Sequence, residues 1–176
     1  MKDLAALPRW LRMLCSGCAL AVFGGLLGGC DWEAQRTLRP GESTLADVER
    51  LMGTPGTRWP EDDGGTTLEY PRGPQGLETW MVRLDAQGRF VSMTNVLLPE
   101  SLARVQPGQG SDAVRRMLGR PAEVTRLPLR PEEEIWSWRI APQGGASEPS
   151  QLFDVVFDRD GKVLRSGVVR DPRHNG

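Results

Sequence analysis

Residues 38–56 read LRPGESTLADVERLMGTPG, and residues 105–123 return to the same pattern as VQPGQGSDAVRRMLGRPAE. Both copies contain a Pro-Gly turn, an apolar stripe at helical spacing and a Gly-x-Pro terminator. Further along the chain, VRLDAQGRF (82–90) is matched by VVFDRDGKV (155–163). Two matched pairs, spaced about 70 residues apart, indicate the internal duplication of one small unit.

A helix is predicted after each Pro-Gly turn. In the first copy Thr44 is the expected N-cap, and Asp47 stands where a capping box requires a carboxylate. In the second copy the cap falls on Gly110 or Ser111. The apolar stripes are Leu45, Val48, Leu51 and Met52 in the first copy and Val114, Met117 and Leu118 in the second. Shorter helices are expected just before each turn, over 32–38 and 101–105.

Strands are predicted from period-two alternation, which is typical of a sheet with one buried face. The alternating stretches are LETWMVRL (77–84), EIWSWRI (134–140) and QLFDVVFD (151–158). Glycine-containing hairpin turns are expected at 86–88 and 159–161. The chain is therefore predicted to be an α+β protein with two tandem units, each made of two helices and a three-stranded antiparallel sheet. Whether the two sheets join remains open.

The predicted domain organisation follows from the repeats. We expect residues 38–100 to form repeat 1 and residues 101–170 to form repeat 2. Residues 30–37 are expected to be a linker, and 171–176 a flexible tail. Two stretches rich in Gly, Pro and polar residues, 56–67 and 141–150, are predicted to be linkers inside the repeats.

The N-terminus has the features of a secretory signal peptide. Basic residues precede an apolar run over 13–27, which is short for a transmembrane helix. The run ends in Leu27-Gly28-Gly29-Cys30, which resembles the lipobox of bacterial lipoproteins. That resemblance implies that residues 1–29 are removed and that acylated Cys30 anchors the chain in membrane lipid. The alternatives are an ordinary signal peptide or a membrane anchor with an incidental cysteine.

The cysteine count then excludes a disulfide framework. Cys15 and Cys18 lie in the segment predicted to be removed, so they form no mature redox or metal site. Asp31 follows the lipidated cysteine, a position where aspartate favours inner-membrane retention in enteric bacteria. Removal of residues 1–29 takes away three basic residues and one acidic residue, so the formal net charge falls from −1 to −3, which is too small to indicate a nucleic-acid partner.

The repeated motif resembles the BamE-like family, also called SmpA/OmlA. The matching residues are Gly41, Thr44, Val48, Gly53, Pro55 and 85–88, then Gly108, Val114, Leu118, Gly119, Pro121 and 158–161. The resemblance implies a non-enzymatic envelope lipoprotein facing the periplasm, with the β-barrel assembly complex as a partner. It favours the outer membrane, whereas Asp31 leaves the inner membrane open. The tandem units also resemble β-lactamase inhibitory proteins.

No constellation of catalytic or metal-binding residues is expected. His174 is the only histidine and lies in the C-terminal tail, so a Ser-His-Asp triad is excluded. The stretch at 158–162 resembles half of a calcium loop but lacks the distal Glu, and a hairpin turn is the favoured interpretation. The acidic stretches 60–65 and 131–134 are expected to be solvated. We therefore predict no enzyme activity, cofactor or metal.

Four tryptophans are candidate partner-binding residues, because exposed tryptophan is enriched at binding hot spots. They are Trp59, Trp80, Trp136 and Trp138. Strand tryptophans usually belong to the core, so Trp59, expected in a loop, is the best candidate for exposure. The resulting hypothesis is a scaffold that binds envelope proteins in β-barrel assembly or envelope integrity. The alternative is a periplasmic inhibitor or sensor that binds an enzyme or a cell-wall component.

Overall fold

The computed structural model describes residues 30–72, 76–142 and 150–174. The predicted signal peptide, residues 1–29 with Cys15 and Cys18, lies outside the described residues. Repeat 1 contains α1 (Cys30–Thr37), α2 (Leu45–Met52), β1 (Thr57–Pro60), β2 (Thr66–Arg72), β3 (Glu78–Leu84) and β4 (Phe90–Asn95). Repeat 2 contains α3 (Pro99–Leu102), α4 (Ser111–Leu118), β5 (Glu123–Leu127), β6 (Arg130–Ile140), β7 (Gln151–Phe157) and β8 (Val163–Arg170).

The α+β class is confirmed, and each repeat forms its own antiparallel sheet. Sheet 1 has the order β1-β2-β3-β4 and sheet 2 the order β5-β6-β7-β8. The expectation of three strands per repeat is wrong, because each sheet of the described chain has four. The additional strands are β1, inside the stretch 56–67 expected to be a linker, and β5, just after Pro121. Both are short edge strands in sequence rich in Gly or Pro, which hides their alternation.

Both ends of the described chain pack against the repeats. The short helix expected over 32–38 is present as α1, at 30–37, and Ala34 is fully buried in the core of repeat 1, so this segment is part of the repeat and not a linker to it. In the segment expected to be a tail, Asp171 is fully buried and its backbone N–H donates to the carbonyl of Ser150 at 2.8 Å. A 3-10 turn, Pro172–His174, follows. The described chain is therefore ordered beyond both boundaries drawn from the sequence.

The predicted cap of α2 is present as a full capping box. The backbone N–H of Asp47 donates to the Thr44 hydroxyl at 3.3 Å, and the Thr44 N–H donates to the Asp47 carboxylate at 3.0 Å. These hydrogen bonds from Thr44, with the Arg50 guanidinium, lower the pKa of Asp47 to about 2. Because this value lies below the ordinary 3.8, the contribution to stability is present above about pH 4 and lost as pH falls towards 2.

In both repeats the Pro-Gly turn is hydrogen-bonded to the hairpin between the last two strands. The N–H of Gly41 donates to the carbonyl of Phe90 at 2.8 Å, and that of Gly108 donates to the carbonyl of Val163 at 2.8 Å. Asp158 accepts the N–H groups of Asp160 and Lys162 within its own turn, at 2.9 and 2.8 Å. The stretch 158–162 is thus a hairpin turn, as the sequence favoured.

Each sheet packs one face against the helices of its own repeat, and we call this its inner face. The inner face of sheet 1 carries Leu68, Tyr70, Trp80, Val82 and Leu84, which pack with α1 and α2. The inner face of sheet 2 carries Trp138, Ile140, Phe153, Val155 and Phe157, which pack with α3 and α4. The opposite, outer faces of the two sheets have different environments.

The N-caps of α2 and α4 offer a matched pair of substitutions. Thr44→Ala removes a side-chain cap and is expected to lower the free energy of unfolding by about 1 kcal/mol. Gly110 caps α4 with extended backbone (φ −75°, ψ 151°) and without a side-chain hydrogen bond. Gly110→Ser is therefore expected to raise the free energy of unfolding by about 0.5 kcal/mol. Urea denaturation at pH 7 measures both, and a change of the opposite sign in either variant contradicts the assignment.

Candidate functional site at the junction of the repeats

Repeat 2 docks on the outer face of sheet 1 through the buried carboxylate of Glu69. Glu69 lies on β2 and is only 1% exposed. One carboxylate oxygen accepts a guanidinium N–H of Arg115 at 2.8 Å and the indole N–H of Trp59 at 3.1 Å. The other accepts the backbone N–H of Arg120 at 2.7 Å. Three donors from β1, α4 and the end of α4 therefore offset the cost of burying this charge.

Gly119 allows the two repeats to approach this closely. It ends α4 with φ 77° and ψ −169°, a conformation that only glycine adopts readily. A Cβ built at this position would lie 2.8 Å from the Cγ2 of Thr79 and 3.0 Å from a carboxylate oxygen of Glu69. The equivalent Gly53 has nearly the same backbone (φ 82°, ψ −164°) but no atom within 4 Å of a built Cβ. The two glycines therefore share one conformational role, and Gly119 alone has a packing role.

Trp59 is the tryptophan that the junction uses. The sequence placed it in an exposed loop, whereas it lies on β1 and is half-buried. Its ring lies 5.0 Å from the guanidinium carbon of Arg115 and 5.5 Å from that of Arg116. Arg116 also donates to the carbonyl of Pro60 at 3.3 Å and lies 3.8 Å from the carboxylate of Glu61. Trp59 is thus held in place by one hydrogen bond and two cations.

An open groove lies beside this contact, between the outer face of sheet 1 and the helices α3 and α4. Its volume is about 690 Å³, within the usual range for a ligand site. Its lining mixes apolar and charged side chains, including Trp59, Met81, Val96, Arg83, Arg104 and Met117. The junction therefore leaves part of the outer face of sheet 1 accessible.

Two of the three arginines that line the groove have an ion-pair partner within the described residues, and the third has none. Arg83 pairs with Asp63, whose pKa is lowered by the backbone N–H of Gly65 and by this guanidinium. Arg116 pairs with Glu61. The side chain of Arg104 is exposed, and it forms no ion pair within the described residues. The groove therefore offers one uncompensated cation to an incoming group.

The other candidate tryptophans lie elsewhere. Trp80 is 9% exposed in the core of repeat 1 and Trp138 is 1% exposed in the core of repeat 2. Trp136 is half-buried, with its ring centroid 4.8 Å from that of Phe157. Trp32 is 66% exposed, with the guanidinium carbon of Arg36 4.5 Å from its ring centroid, and the sequence analysis did not select it. The i,i+4 spacing of Trp32 and Arg36 could have indicated this contact, because residues four apart are neighbours on the surface of a helix.

The predicted lipidation and sorting residues stand at the start of α1. The helix begins at Cys30 itself. The carboxylate of Asp31 forms an ion pair with the guanidinium of Arg72, at the end of β2. Arg72 also donates to the carbonyl of Met52 at 3.2 Å. No helix in the described ranges has the length and apolar character needed to cross a membrane.

The acidic stretches 60–65 and 131–134, expected to be solvated, are partly engaged in ion pairs, and Glu133 is only 9% exposed. Glu133 lies between Arg165 and Arg130, at 2.8 and 3.1 Å, and the hydrogen bond from Arg165 is the main cause of its lowered pKa. Across residues 30–72, 76–142 and 150–174, no group of three His, Cys, Asp or Glu side chains could hold a metal ion. The predicted absence of enzyme activity and of cofactors stays a prediction.

The fold and the junction define an α+β protein with two tandem repeats that present a groove where they meet. No known family model matches the chain, and no curated protein gives a significant match. The chain is similar to a Streptococcus mutans protein, solved at 1.40 Å, whose description as a β-lactamase inhibitor is provisional. The two are 11% identical over 78% of this chain and 93% of the other, with a TM-score of 0.30. A likeness this distant carries no functional argument, and the BamE-like resemblance stays a prediction.

Alanine substitution of the two helix-ending glycines distinguishes the cost of backbone strain from the cost of lost packing at the junction. Gly53→Ala and Gly119→Ala carry the same backbone penalty, which is about 1–3 kcal/mol. Gly119→Ala is expected to cost at least about 1 kcal/mol more, because its Cβ overlaps Thr79 and Glu69. Thermal or urea denaturation compares the two variants. Equal destabilisation would show that Gly119 has no packing role between the repeats.

A double-mutant cycle tests the buried ion pair of Glu69 and Arg115. The cycle Glu69→Gln with Arg115→Met is expected to give a coupling free energy of about 2 kcal/mol, since one partner is buried and the bond is charge-assisted. The control pair, Glu49 and Arg58, is exposed on the surface of repeat 1 and is expected to couple by less than about 1 kcal/mol. Similar coupling free energies in both cycles would contradict the assignment of Glu69 and Arg115 as a strong contact between the repeats.

Proposed function

We propose that this chain is a lipid-anchored, non-enzymatic binding protein of the Gram-negative cell envelope, and that the groove between its repeats receives a segment of another envelope protein. The observation that carries the proposal is the groove itself. It is about 690 Å³ in volume and lies beside a junction fixed by Glu69, so its two walls are held by a buried, charge-assisted contact. A preorganised surface binds with a smaller entropic cost.

The composition of the groove supports a protein segment as the occupant. Met81 and Met117 provide apolar surface that adapts to different side chains. Trp59 is rigid and amphipathic, and tryptophan and arginine are the residue types enriched at binding hot spots. The uncompensated guanidinium of Arg104 complements an acidic side chain. The expected ligand is therefore an apolar segment with at least one carboxylate.

The anchor supports a partner at the membrane surface. Acylation of Cys30 would fix repeat 1 next to the bilayer, because α1 begins at that residue and Arg72 holds Asp31. Two or more acyl chains give stable attachment. The resemblance of the repeated motif to the BamE-like family favours the β-barrel assembly complex of the outer membrane as the partner.

Site-specific photocrosslinking in the native host tests the groove. A photoreactive amino acid at Met117 or at Ser92, both in the groove, is expected to capture the same envelope protein. The same probe at Asp160, in the β7–β8 turn, serves as the control and is expected to capture none. Arg104→Glu is expected to reduce the adduct several-fold by charge repulsion.

The same cells serve to test the lipid anchor and to identify the class of the partner. Mass spectrometry is expected to find an acylated N-terminus at Cys30, and Cys30→Ser is expected to release the chain from the membrane and abolish the adduct. An adduct with the β-barrel assembly complex supports the scaffold, whereas an adduct with a periplasmic hydrolase supports the inhibitor alternative. Absence of any adduct from both groove positions contradicts the proposal.

A further inference from the structure

The duplication allows the outer faces of the two sheets to be compared position by position. The hairpin aspartates Asp85 and Asp158 are equivalent, so Leu84 is equivalent to Phe157. Leu84 pairs with Thr66, and Phe157 pairs with Glu134. Counting along β2 and β6 from these pairs places Ser137 at the position of Glu69. Counting along β3 and β7 places Asp154 at the position of Met81.

The outer face of sheet 2 is more apolar than the outer face of sheet 1. Ile135, Leu152 and Val156 occupy the positions of Thr67, Thr79 and Arg83. Repeat 2 packs on the outer face of sheet 1 through Arg115 and Arg120, whereas the depressions on the outer face of sheet 2 are lined by its own strands and by the C-terminal 3-10 turn. Leu152 and Val156 are each 6% exposed, packed among their strand neighbours, whereas Val169 on β8 is 42% exposed. The accessible apolar surface of this face is therefore centred on Val169 and the half-buried Ile135.

A hollow runs along this face. Two adjoining depressions of about 360 and 290 Å³ share Ile135, Asp154 and Val169. Gly167 on β8 lies directly opposite Asp154, and a Cβ built there meets no atom within 4 Å. Glycine is unfavourable inside a strand and marks a place where another group approaches closely. The hollow is open at the position of this glycine.

The hollow is lined by both kinds of charge: the carboxylates of Glu123 and Asp154 and the guanidinium groups of Arg165, Arg170 and Arg173. Asp154 accepts the hydroxyl of Ser137 at 2.7 Å and forms no ion pair within the described residues. Nearby cations are paired with other groups: Arg165 with Glu133 at 2.8 Å, Arg173 with Glu123 at 2.6 Å, and Arg139 with Asp171 at 3.8 Å. Arg170 stands at the rim, three residues along β8 from Gly167 and so about 10 Å away. Among the described residues that line the hollow, Asp154 is thus the carboxylate without an ion pair, and Arg170 is the arginine without one.

We propose that the outer face of sheet 2 docks an apolar segment of a second protein that carries a cationic side chain, which pairs with Asp154. Sheet 1 also uses a carboxylate of its outer face, Glu69, to receive Arg115 of α4. Asp154 lies on the adjacent strand, at the position of Met81, and is half-buried. A second copy of this chain fits poorly, because Glu49 of α2 stands at the position of Arg115 in α4 and would approach Asp154. This surface is distinct from the groove between the repeats, so each can fail without the other.

Short amphipathic peptides of identical sequence, rich in Leu and Ala, with Arg, Gln or Glu at one central position, test the proposal. They are titrated into the full ¹⁵N-labelled chain in detergent, and amide chemical shifts are followed. The Arg peptide is expected to shift the amides of Ser137, Asp154 and Gly167 and to bind on the order of tenfold more tightly than the Glu peptide.

Two variants and a control make the result decisive. Asp154→Asn is expected to bring the Arg peptide to the affinity of the Gln peptide, and Gly167→Val is expected to weaken all three by filling the hollow. Asp160→Asn, which removes the same charge from the β7–β8 turn, is expected to change nothing. Equal affinities for the Arg and Glu peptides, or shifts confined to the groove between the repeats, would overturn the proposal. So would a concentration-dependent dimer that Gly167→Val abolishes, because it would assign the face to a second copy.

Discussion

The carboxylate of Glu69 is the interaction on which the arrangement of the two repeats depends. It is a charge on the outer face of sheet 1, and it is buried beneath repeat 2 and the indole of Trp59. Without its three donors it would be a buried unpaired charge, which is strongly unfavourable. With them it fixes the position of α4 relative to β2 and holds the indole of Trp59. The shape of the groove follows from this contact.

The size of each repeat explains why such a contact is useful. A unit of about 70 residues buries a small fraction of its surface and is marginally stable alone. Each repeat has its own apolar core, centred on Trp80 in one and on Trp138 in the other. The junction adds polar contacts rather than a third apolar core. Because directional contacts fix geometry more strictly than apolar ones, the junction sets orientation as well as adding stability.

The sequence predicted what local rules determine. The capping box of Thr44 and Asp47, the hairpin turns at 85–88 and 158–161, and the alternation in β3 and β7 all follow from short-range patterns. The four-residue strand β1 was missed because it offers too few positions for alternation and contains Pro60. Edge strands of this kind depend on pairing with a neighbour, which in this protein is β2.

The junction itself could not be read from the sequence. In β2, Leu68 and Tyr70 alternate with Glu69, so local reasoning places the carboxylate in solvent. Its burial depends on Arg115 and Arg120, which are 46 and 51 residues away along the chain. Nor did the repeat comparison distinguish Gly53 from Gly119, since both end a helix in the same way. Only the packing around Gly119 shows that it also serves the interface.

Divergence between the two copies carries the most functional information in this chain. Positions that determine the fold, such as the Pro-Gly turns and the hairpin aspartates, are the same in both repeats. Positions on the outer faces differ. Ser137, Asp154 and Val156 in repeat 2 stand at the positions of Glu69, Met81 and Arg83 in repeat 1. Since each repeat keeps its inner face, these differences have no role in the cores. They match the different neighbours of the two faces, with repeat 2 on one side and an open apolar hollow on the other. The inner faces also change in sequence, with Tyr70 replaced by Trp138 and Leu84 by Phe157, but they stay apolar. A duplication that keeps the inner faces apolar and changes the charge of the outer faces gives one fold two chemically distinct surfaces.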